Sequence, residues 1–186
     1  MTATQSNYKT ENRITADCVS LANTALEFFN IDGWKVRQLR QVYKVNVLDP
    51  TIFVSILNHN QLGRQYVKRT MTDDVITRAN ASKQEVKIRF SAVHRDLEDD
   101  TTETYGGVDI LKILKAYMQS AEGIETLKDL GYVQYRADAI NEQEFLNDGD
   151  NFELMPYFDV TLLYTDVWTT EIDKITKTEL KNTYKI

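Results

Sequence analysis

Apolar residues recur every three or four positions near the start of the chain, a spacing typical of one face of a helix. The pattern predicts an amphipathic helix of about 16 residues, with Gly33 just beyond its end as a stop signal. The apolar stripe comprises Ile14, Cys18, Leu21, Ala22, Ala25, Leu26, Phe28 and Phe29. Cys18 is therefore interpreted as a small hydrophobe packed in the stripe and not as a reactive thiol.

From Trp34 to Thr70 the pattern changes to a period of two, which is typical of strands. It predicts two or three short strands, at residues 42–43, 51–57 and 65–68. A turn is expected at residues 58–63, where Asn, His and Gly cluster. The polar residues 71–82 predict a helical turn or a long loop.

The strongest strand signal is an alternation in which one face is apolar and the other is basic or polar. The apolar face comprises Val86, Ile88, Phe90 and Ala92, and the other face comprises Lys87, Arg89, Ser91 and Val93. This pattern predicts a strand with one face against the core.

In the second half of the chain, segments with the helical spacing of three or four residues alternate with segments of period two. It predicts a helix over residues 108–118, a shorter helical segment that ends at Gly131, a strand at 132–137, a turn at 147–150 and a long final strand at 158–165. Helices and strands in this order are typical of an α+β fold. We expect one domain with a mixed, mainly antiparallel sheet flanked by two or three amphipathic helices.

Composition agrees with a folded domain. The chain has 186 residues, 42% of them apolar and 27% charged, with only 7 Gly and 2 Pro, which excludes collagen-like, low-complexity and disordered classes. A net charge of −6 and a pI near 5.0 argue against a protein that binds nucleic-acid phosphates over its whole surface. The same net charge is compatible with a local basic patch.

A lone cysteine cannot form an internal disulfide, and the polar first nine residues lack the apolar segment of a signal peptide. A cytosolic, soluble protein is the simplest expectation. Two histidines and one cysteine cannot assemble a structural zinc site. The glycines match no nucleotide-binding pattern, and the acids near the 147–150 turn do not fit an EF-hand register. We therefore expect no cofactor and no metal.

Two arms and one loop lack a periodic apolar face. Residues 1–11 are polar, and residues 170–186 carry four lysines among spaced apolar residues, so both are expected to be flexible arms around a domain at 12–169. The loop from His94 to Gly107 is acidic and is the segment expected to be most mobile. Its acids are Asp96, Glu98, Asp99, Asp100 and Glu103.

Ten tyrosines form the one compositional excess. Tyrosine is enriched at protein interfaces, where its rigid ring buries a large area at a small entropy cost. Some tyrosines are therefore candidates for contact with a partner chain, and the alternative is that they occupy half-buried strand positions. The candidates are Tyr43, Tyr66, Tyr105, Tyr157 and Tyr164.

Four segments in this order resemble the tail-terminator and neck (head–tail joining) proteins of tailed bacteriophages. The resemblance spans roughly residues 12–168, and its segments are QEVKIRFS at 84–91, LKIL at 111–114, GY at 131–132 and FDVTLLY at 158–164. It implies a structural virion protein and not an enzyme. The implied subunit is a small α+β domain that assembles in the host cytoplasm into a hexameric ring at the top of the tail.

The resemblance also implies partners and surfaces. The ring would terminate the tail tube, join it to the head–tail connector or stopper protein, and surround genomic DNA without reading its sequence. A closed ring needs a head-to-tail interface, for which the candidate residues are Tyr105, Phe158, Val160, Leu162 and Tyr164. The acids of the 94–107 loop are expected to face the channel, because a negative lumen does not retain DNA.

Two other classes stay open. An acidic cytosolic binding module, such as a regulator or a nucleic-acid-mimicking inhibitor, would occupy a basic groove with a contiguous acidic face. A hydrolase would use paired acids of the 94–107 loop in a concave pocket. A monomer favours the binding module, whereas a hexamer favours the phage ring.

Overall fold

The computed structural model describes residues 3–5, 9–39, 49–72, 75–93, 105–142, 144–146 and 152–173. The described helices are α1 (Glu11–Phe28), α2 (Gly107–Gln119) and α3 (Ala121–Asp129). The described strands are β1 (Ala3–Gln5), β2 (Lys35–Gln38), β3 (Thr51–Thr72), β4 (Val75–Val93), β5 (Val133–Ala137), β6 (Glu144–Leu146), β7 (Phe152–Leu154) and β8 (Tyr157–Asp173).

The main sheet is mixed and mainly antiparallel. Its hydrogen-bonded order is β1-β8-β4-β3-β2, and β5 pairs with β8 off this path. β2 runs parallel to β3, whereas β1 and β5 both run antiparallel to β8. β6 and β7 form a separate two-stranded antiparallel sheet. The predicted α+β class, with a mixed sheet flanked by helices, is confirmed.

Contacts divide the chain into two compact units. The first, which we call the core unit, comprises Thr10–Asn60 and Gln84–Tyr164. The second, the hairpin unit, comprises Met1–Lys9, Gln61–Lys83 and Thr165–Ile186. All three described helices and the strands β2 and β5 belong to the core unit.

In the core unit, alternate residues of three neighbouring strands face the helices. Because successive side chains of a strand point to opposite faces, one face of β3, β4 and β8 supplies the apolar core and the other does not. The core residues of these strands are Ile52, Val54, Val86, Ile88, Phe90, Ala92, Phe158, Val160, Leu162 and Tyr164. The predicted alternation at residues 86–93 is confirmed, and it continues in β8.

Helix α1 begins where Thr10, in an extended conformation, caps it by accepting a hydrogen bond from the Arg13 backbone N–H. The predicted apolar stripe is confirmed for its first six members, including Cys18, which is only 1% exposed. Phe28 and Phe29 are exceptions, because both are more than 40% exposed at the end of the helix.

Helices α2 and α3 meet at Ser120 with little space between them. The Ser120 hydroxyl caps α3 by accepting a hydrogen bond from the Gly123 backbone N–H. A Cβ atom at Gly123 would lie 1.9 Å from the Tyr117 carbonyl oxygen. The absence of a side chain at Gly123 therefore allows α3 to start this close to the end of α2.

The structure corrects the expectations for residues 58–82. β3 continues without interruption through the turn predicted at 58–63, with Gly63 at a positive φ of 70° inside the strand. The supposed helical turn or loop at 71–82 instead contains the start of β4 at Val75. β3 and β4 are therefore two long consecutive strands that pair with each other in the main sheet.

The arms are partly built into the sheet. In the predicted N-terminal arm, Ala3–Gln5 pair with residues 168–170 of β8, and the Lys9 backbone N–H donates to the Asp166 carboxylate at 3.1 Å. In the predicted C-terminal arm, residues 170–173 belong to β8. The expected strand at 42–43 and the turn at 147–150 lie outside the described residues.

Candidate interaction surfaces

Four of the five predicted interface residues are packed inside their own subunit. Phe158, Val160 and Leu162 are fully buried, and Tyr164 is 5% exposed. Phe158 stacks on Phe90 at a centroid distance of 5.4 Å, and the Tyr164 hydroxyl lies 2.6 Å from Nε2 of His59. This corrects the expectation for these four, because their side chains pack in the core of the subunit and have no surface to offer a neighbour.

Tyr105 lies at a different kind of position. It is 48% exposed and directly precedes Gly106, the N-cap residue of α2. It stays a predicted interface residue. The five acids predicted to face a channel, Asp96, Glu98, Asp99, Asp100 and Glu103, lie outside the described residues.

Two buried polar side chains of the core unit, Tyr132 and Asp17, are hydrogen-bonded to each other. The Tyr132 hydroxyl donates to Oδ2 of Asp17 at 3.0 Å, and Nε of Arg13 lies 2.9 Å from Oδ1 of the same carboxylate. Burial and the nearby Asp17 carboxylate raise the pKa of Tyr132, so its hydroxyl stays protonated and remains a donor. These contacts join β5, through Tyr132 at its start, to α1.

A charged cluster occupies the face of β4 and β8 that points away from the core. Arg89 makes two hydrogen bonds to Asp159, Nε to Oδ1 at 2.8 Å and Nη2 to Oδ2 at 3.2 Å. Lys87 lies 3.1 Å from Asp159 Oδ2 and 3.4 Å from Asp138 Oδ2. The Arg89 guanidinium also sits 3.8 Å above the ring of Tyr157, a cation–π geometry.

Burial by itself would raise the pKa of Asp159, yet the hydrogen bonds and charges of Arg89 and Lys87 outweigh it and lower that pKa. The hydrogen bond to Asp159 in turn raises the pKa of Lys87. The cluster is thus a matched set of charges that joins neighbouring strands.

The part of β3 that belongs to the hairpin unit is exposed on both of its faces. Every residue from 61 to 70 is exposed, which we call the hairpin surface. Its apolar members are Leu62, Tyr66 and Val67, which are 38%, 55% and 44% exposed. Its charged members are all basic: Arg64, Lys68 and Arg69. No ion pair joins these three cations to any residue that the structure describes.

The second exposed apolar region lies between α3 and β5 and forms a groove of about 370 Å³, which we call the α3–β5 groove. Ile124 and Val133 line it and are 42% and 61% exposed. The side-chain Oε1 of Gln134, also in the lining, is buried and has no hydrogen-bond partner within the described part of the chain.

Sequence reasoning missed both surfaces for a physical reason. The hairpin surface has no buried face, so it shows no apolar alternation, and Ile124 has the spacing of a core residue although it is exposed. The one available signal was the tyrosine excess, since Tyr66 was among the candidates for a partner contact and is 55% exposed.

Two kinds of site were sought among the described residues, a cluster of metal ligands and a membrane-spanning helix. No group of three or more His, Cys, Asp or Glu side chains among them could hold a metal ion. None of their helices has the length and apolar content needed to cross a bilayer.

Comparison with known protein families gives a match over residues 14–174 to a family described as the E217 gateway protein gp29. No curated protein matches the chain. The family match supports the predicted relation to phage head–tail proteins in general and does not select the tail terminators among them. Because the match covers most of the chain, the protein belongs to the family of the E217 gateway protein gp29, a family of phage structural proteins.

Proposed function

We propose that the protein is a structural subunit of the phage neck, at the head–tail junction, and that identical copies close into a ring around the passage for DNA. The observation that carries this proposal is the family match over residues 14–174. A ring of identical subunits requires two different surfaces on each copy that fit each other and a rotation that closes.

The core unit offers strand edges suited to such contacts. β2 pairs only with β3, and β5 pairs only with β8, among the strands that the structure describes. An unpaired strand edge presents free backbone N–H and C=O groups that can recruit another chain. Val133 and Tyr135 of β5 are 61% and 68% exposed, so apolar area accompanies this open edge.

The ring is a hexamer in this proposal, the number that the resemblance to phage neck proteins implies. It contacts the tail tube protein on one side and the head–tail connector or stopper protein on the other. Genomic DNA passes through it without sequence-specific binding. Termination of the tail tube is the more specific hypothesis, and joining of head and tail is the more general one.

The acids of residues 94–107 keep their proposed role at the channel. Neutralising a phosphate with Lys or Arg releases counterions and strengthens binding, so a basic lumen would retain DNA that has to move. A lumen lined by Asp96, Glu98, Asp99, Asp100 and Glu103 repels the phosphates instead.

The decisive experiment is to remove the protein from an infection and image the particles. We expect full heads and separate tails, because the piece that joins them is absent. Tails of normal length then indicate a joining role alone, whereas overlong tails indicate a terminator, because an uncapped tube continues to polymerise. Intact joined particles would contradict the whole proposal.

Purified protein gives an independent test. Light scattering and negative-stain images are expected to show a closed ring of six copies, alone or when tail tubes are added. A monomer that binds neither tail tubes nor connectors, and that instead blocks a nucleic-acid-binding protein, would favour the acidic binding module.

A further inference from the structure

The α3–β5 groove lies beside an open strand edge. β5 pairs only with β8 among the strands that the structure describes, so its other edge has free backbone N–H and C=O groups in that part of the chain. The residues that line the groove come from α2, α3 and the start of β5, and none of them comes from β8. One further strand beside β5 would therefore lie in the groove, against the apolar side of α3.

Gln134 adds a polar requirement to this apolar groove. It pairs with Leu162, a fully buried core residue, so its side chain lies on the helix side of the sheet. Its Oε1 is buried and has no hydrogen-bond partner among the described residues. A buried acceptor without a donor costs free energy. An occupant that fits the groove should therefore bring an N–H group to this position.

The chain itself contains a segment with the matching pattern. Residues 180–186 read Leu-Lys-Asn-Thr-Tyr-Lys-Ile and lie outside the described residues. In an extended segment, alternate side chains share one face. The even-numbered face is apolar except for one amide and comprises Leu180, Asn182, Tyr184 and Ile186. The odd-numbered face carries both lysines, as is common for a strand face exposed to solvent.

We propose that residues 180–186 of one copy add a strand to β5 of the next copy, antiparallel to it, with Asn182 opposite Gln134. This register brings the Asn182 side-chain amide to the unpaired Oε1 of Gln134. Tyr184 and Ile186 then pack in the groove. Addition of an extended segment to an open sheet edge is a recurring mode of recognition. This inference rests on the proposed ring and names the contact that closes it.

Charge and chain length are both compatible with this contact. Lys181 and Lys185 are on the face turned away from the groove, so neither of them meets Lys128 in its lining. Residues 174–179, between β8 and the added strand, span at most about 25 Å. The copy that receives the strand is therefore a direct neighbour. The contact uses different surfaces on the two copies, so it is head-to-tail and can propagate around a ring.

A cysteine pair tests the register directly, because the only native cysteine, Cys18, is 1% exposed. Val133 and Thr183 lie opposite each other in the proposed pairing, with Cβ atoms about 5 Å apart, which a disulfide can bridge. Val133 is 61% exposed, so the substitution spares the core. Val133→Cys with Thr183→Cys should form, on mild oxidation, a reducing-agent-sensitive ladder that ends at the closed ring.

Three controls accompany the cysteine pair. Val133→Cys alone and Thr183→Cys alone should each give at most dimers, because each copy then has one accessible thiol. Lys112→Cys with Thr183→Cys keeps the same cysteine in the added strand and places the other on the exposed side of α2. This variant should give no ladder.

The two faces of the added strand supply a second measurement. Tyr184→Ala with Ile186→Ala should raise the concentration of half-assembly by about tenfold or more, because two apolar side chains lose their burial. Lys181→Ala with Lys185→Ala changes the opposite face and should leave that concentration nearly unchanged. Circular dichroism checks that both variants are folded.

A peptide locates the binding edge. A synthetic peptide of residues 178–186, added to the full-length Tyr184→Ala, Ile186→Ala protein, should slow hydrogen exchange of the backbone amides of β5. Exchange in β2, the strand at the other end of the described sheet, should not change. A control peptide with serine at positions 180, 184 and 186 should protect neither strand.

The outcomes separate this contact from the ring itself. A wild-type ring with no ladder and no effect of the apolar-face substitutions would overturn the contact and leave the ring standing. A wild type without any assembly, also on tail tubes, and without a ladder would overturn both. A disulfide formed within single copies would place the segment in its own groove and overturn the contact between copies. Protection of β5 that appears only with added tail tubes or connectors would assign the edge to another neck protein and also overturn it.

Discussion

Gly123 is the residue at which the helical layer tolerates no side chain. Its missing Cβ leaves room for the Tyr117 carbonyl oxygen, which would otherwise lie at 1.9 Å. A backbone group cannot rotate away as a side chain can, so α3 must shift. We expect Gly123→Ala to lower the free energy of unfolding by about 3 kcal/mol, measured by urea denaturation.

Gly106 provides the control for that substitution. It has an extended conformation, and a Cβ there would meet only Asp109 Oδ2 at 3.8 Å. Gly106→Ala should therefore leave the unfolding midpoint nearly unchanged. Equal losses in both variants would show that the close contact at Gly123 is not the cause.

Tyr132 shows how a buried hydroxyl contributes to stability. It donates to the buried Asp17 carboxylate, and removing the donor leaves that oxygen poorly satisfied. We expect Tyr132→Phe to cost about 1–3 kcal/mol in urea denaturation. Tyr135→Phe changes a ring that is 68% exposed and should have no effect. An unchanged Tyr132→Phe protein would show that the hydrogen bond is energetically neutral.

Burial at single residues could be predicted from the sequence, but the identity of the covering surface could not. Alternation predicted that Phe158, Val160 and Leu162 share one face of a strand, and they do. An alternation of apolar and polar residues indicates only that one face of the strand is buried. Whether its cover is a helix of the same chain or a neighbouring copy depends on long-range packing that a local pattern does not encode.

At the scale of elements, the prediction succeeded where one side of an element is buried. α1, α2 and the core half of β4 each bury one side, so each shows its period in the sequence. The outer part of β3 does not, because residues 61–70 are exposed on both faces. Asn58, Asn60 and Gly63 then resembled a turn, and a strand of 22 residues was divided in two.

The charged cluster on β4 and β8 predicts how stability depends on pH. Asp159 has a lower pKa in the folded protein than its ordinary value, which is about 3.9. The unfolded chain therefore binds the proton first as the pH falls. The stabilisation is complete well above about pH 4 and is lost as the pH drops through the folded pKa. Asp159→Asn should lower stability at pH 7 by about 2 kcal/mol and flatten the decline below pH 4.

Asp49 is the matched control for that experiment. A hydrogen bond from Lys35 also lowers its pKa, but both side chains are about half exposed. Solvent screens such a pair, so Asp49→Asn should leave the pH profile of unfolding almost unchanged. If the free energy of unfolding of Asp159→Asn falls in parallel with that of the wild type between pH 5 and 3, the charged cluster does not cause the pH dependence.

At the scale of the whole molecule, charge is distributed unevenly along the chain. The net charge of −6 includes a basic hairpin and an acidic segment at residues 94–107. A subunit with both signs can attract its neighbour through one surface while it repels DNA with another. The acidic segment was visible in the sequence as a cluster, whereas the exposure of Arg64, Lys68 and Arg69 on both faces of β3 is known only from the fold.

The repulsion of DNA can be tested on assembled particles. Changing Glu98, Asp99 and Asp100 to their amides removes three negative charges per subunit from the proposed lumen. Because phosphate is then repelled less, DNA release from the particles should slow by about two- to tenfold, and most strongly at low salt, where screening is weakest. The rate is measured by a DNA-binding dye after triggered ejection. The control changes Glu27, Asp32 and Glu142, three exposed acids of the core unit, to their amides. If both triple variants slow release equally, total charge and not its place in the ring governs the passage of DNA, and the channel assignment fails.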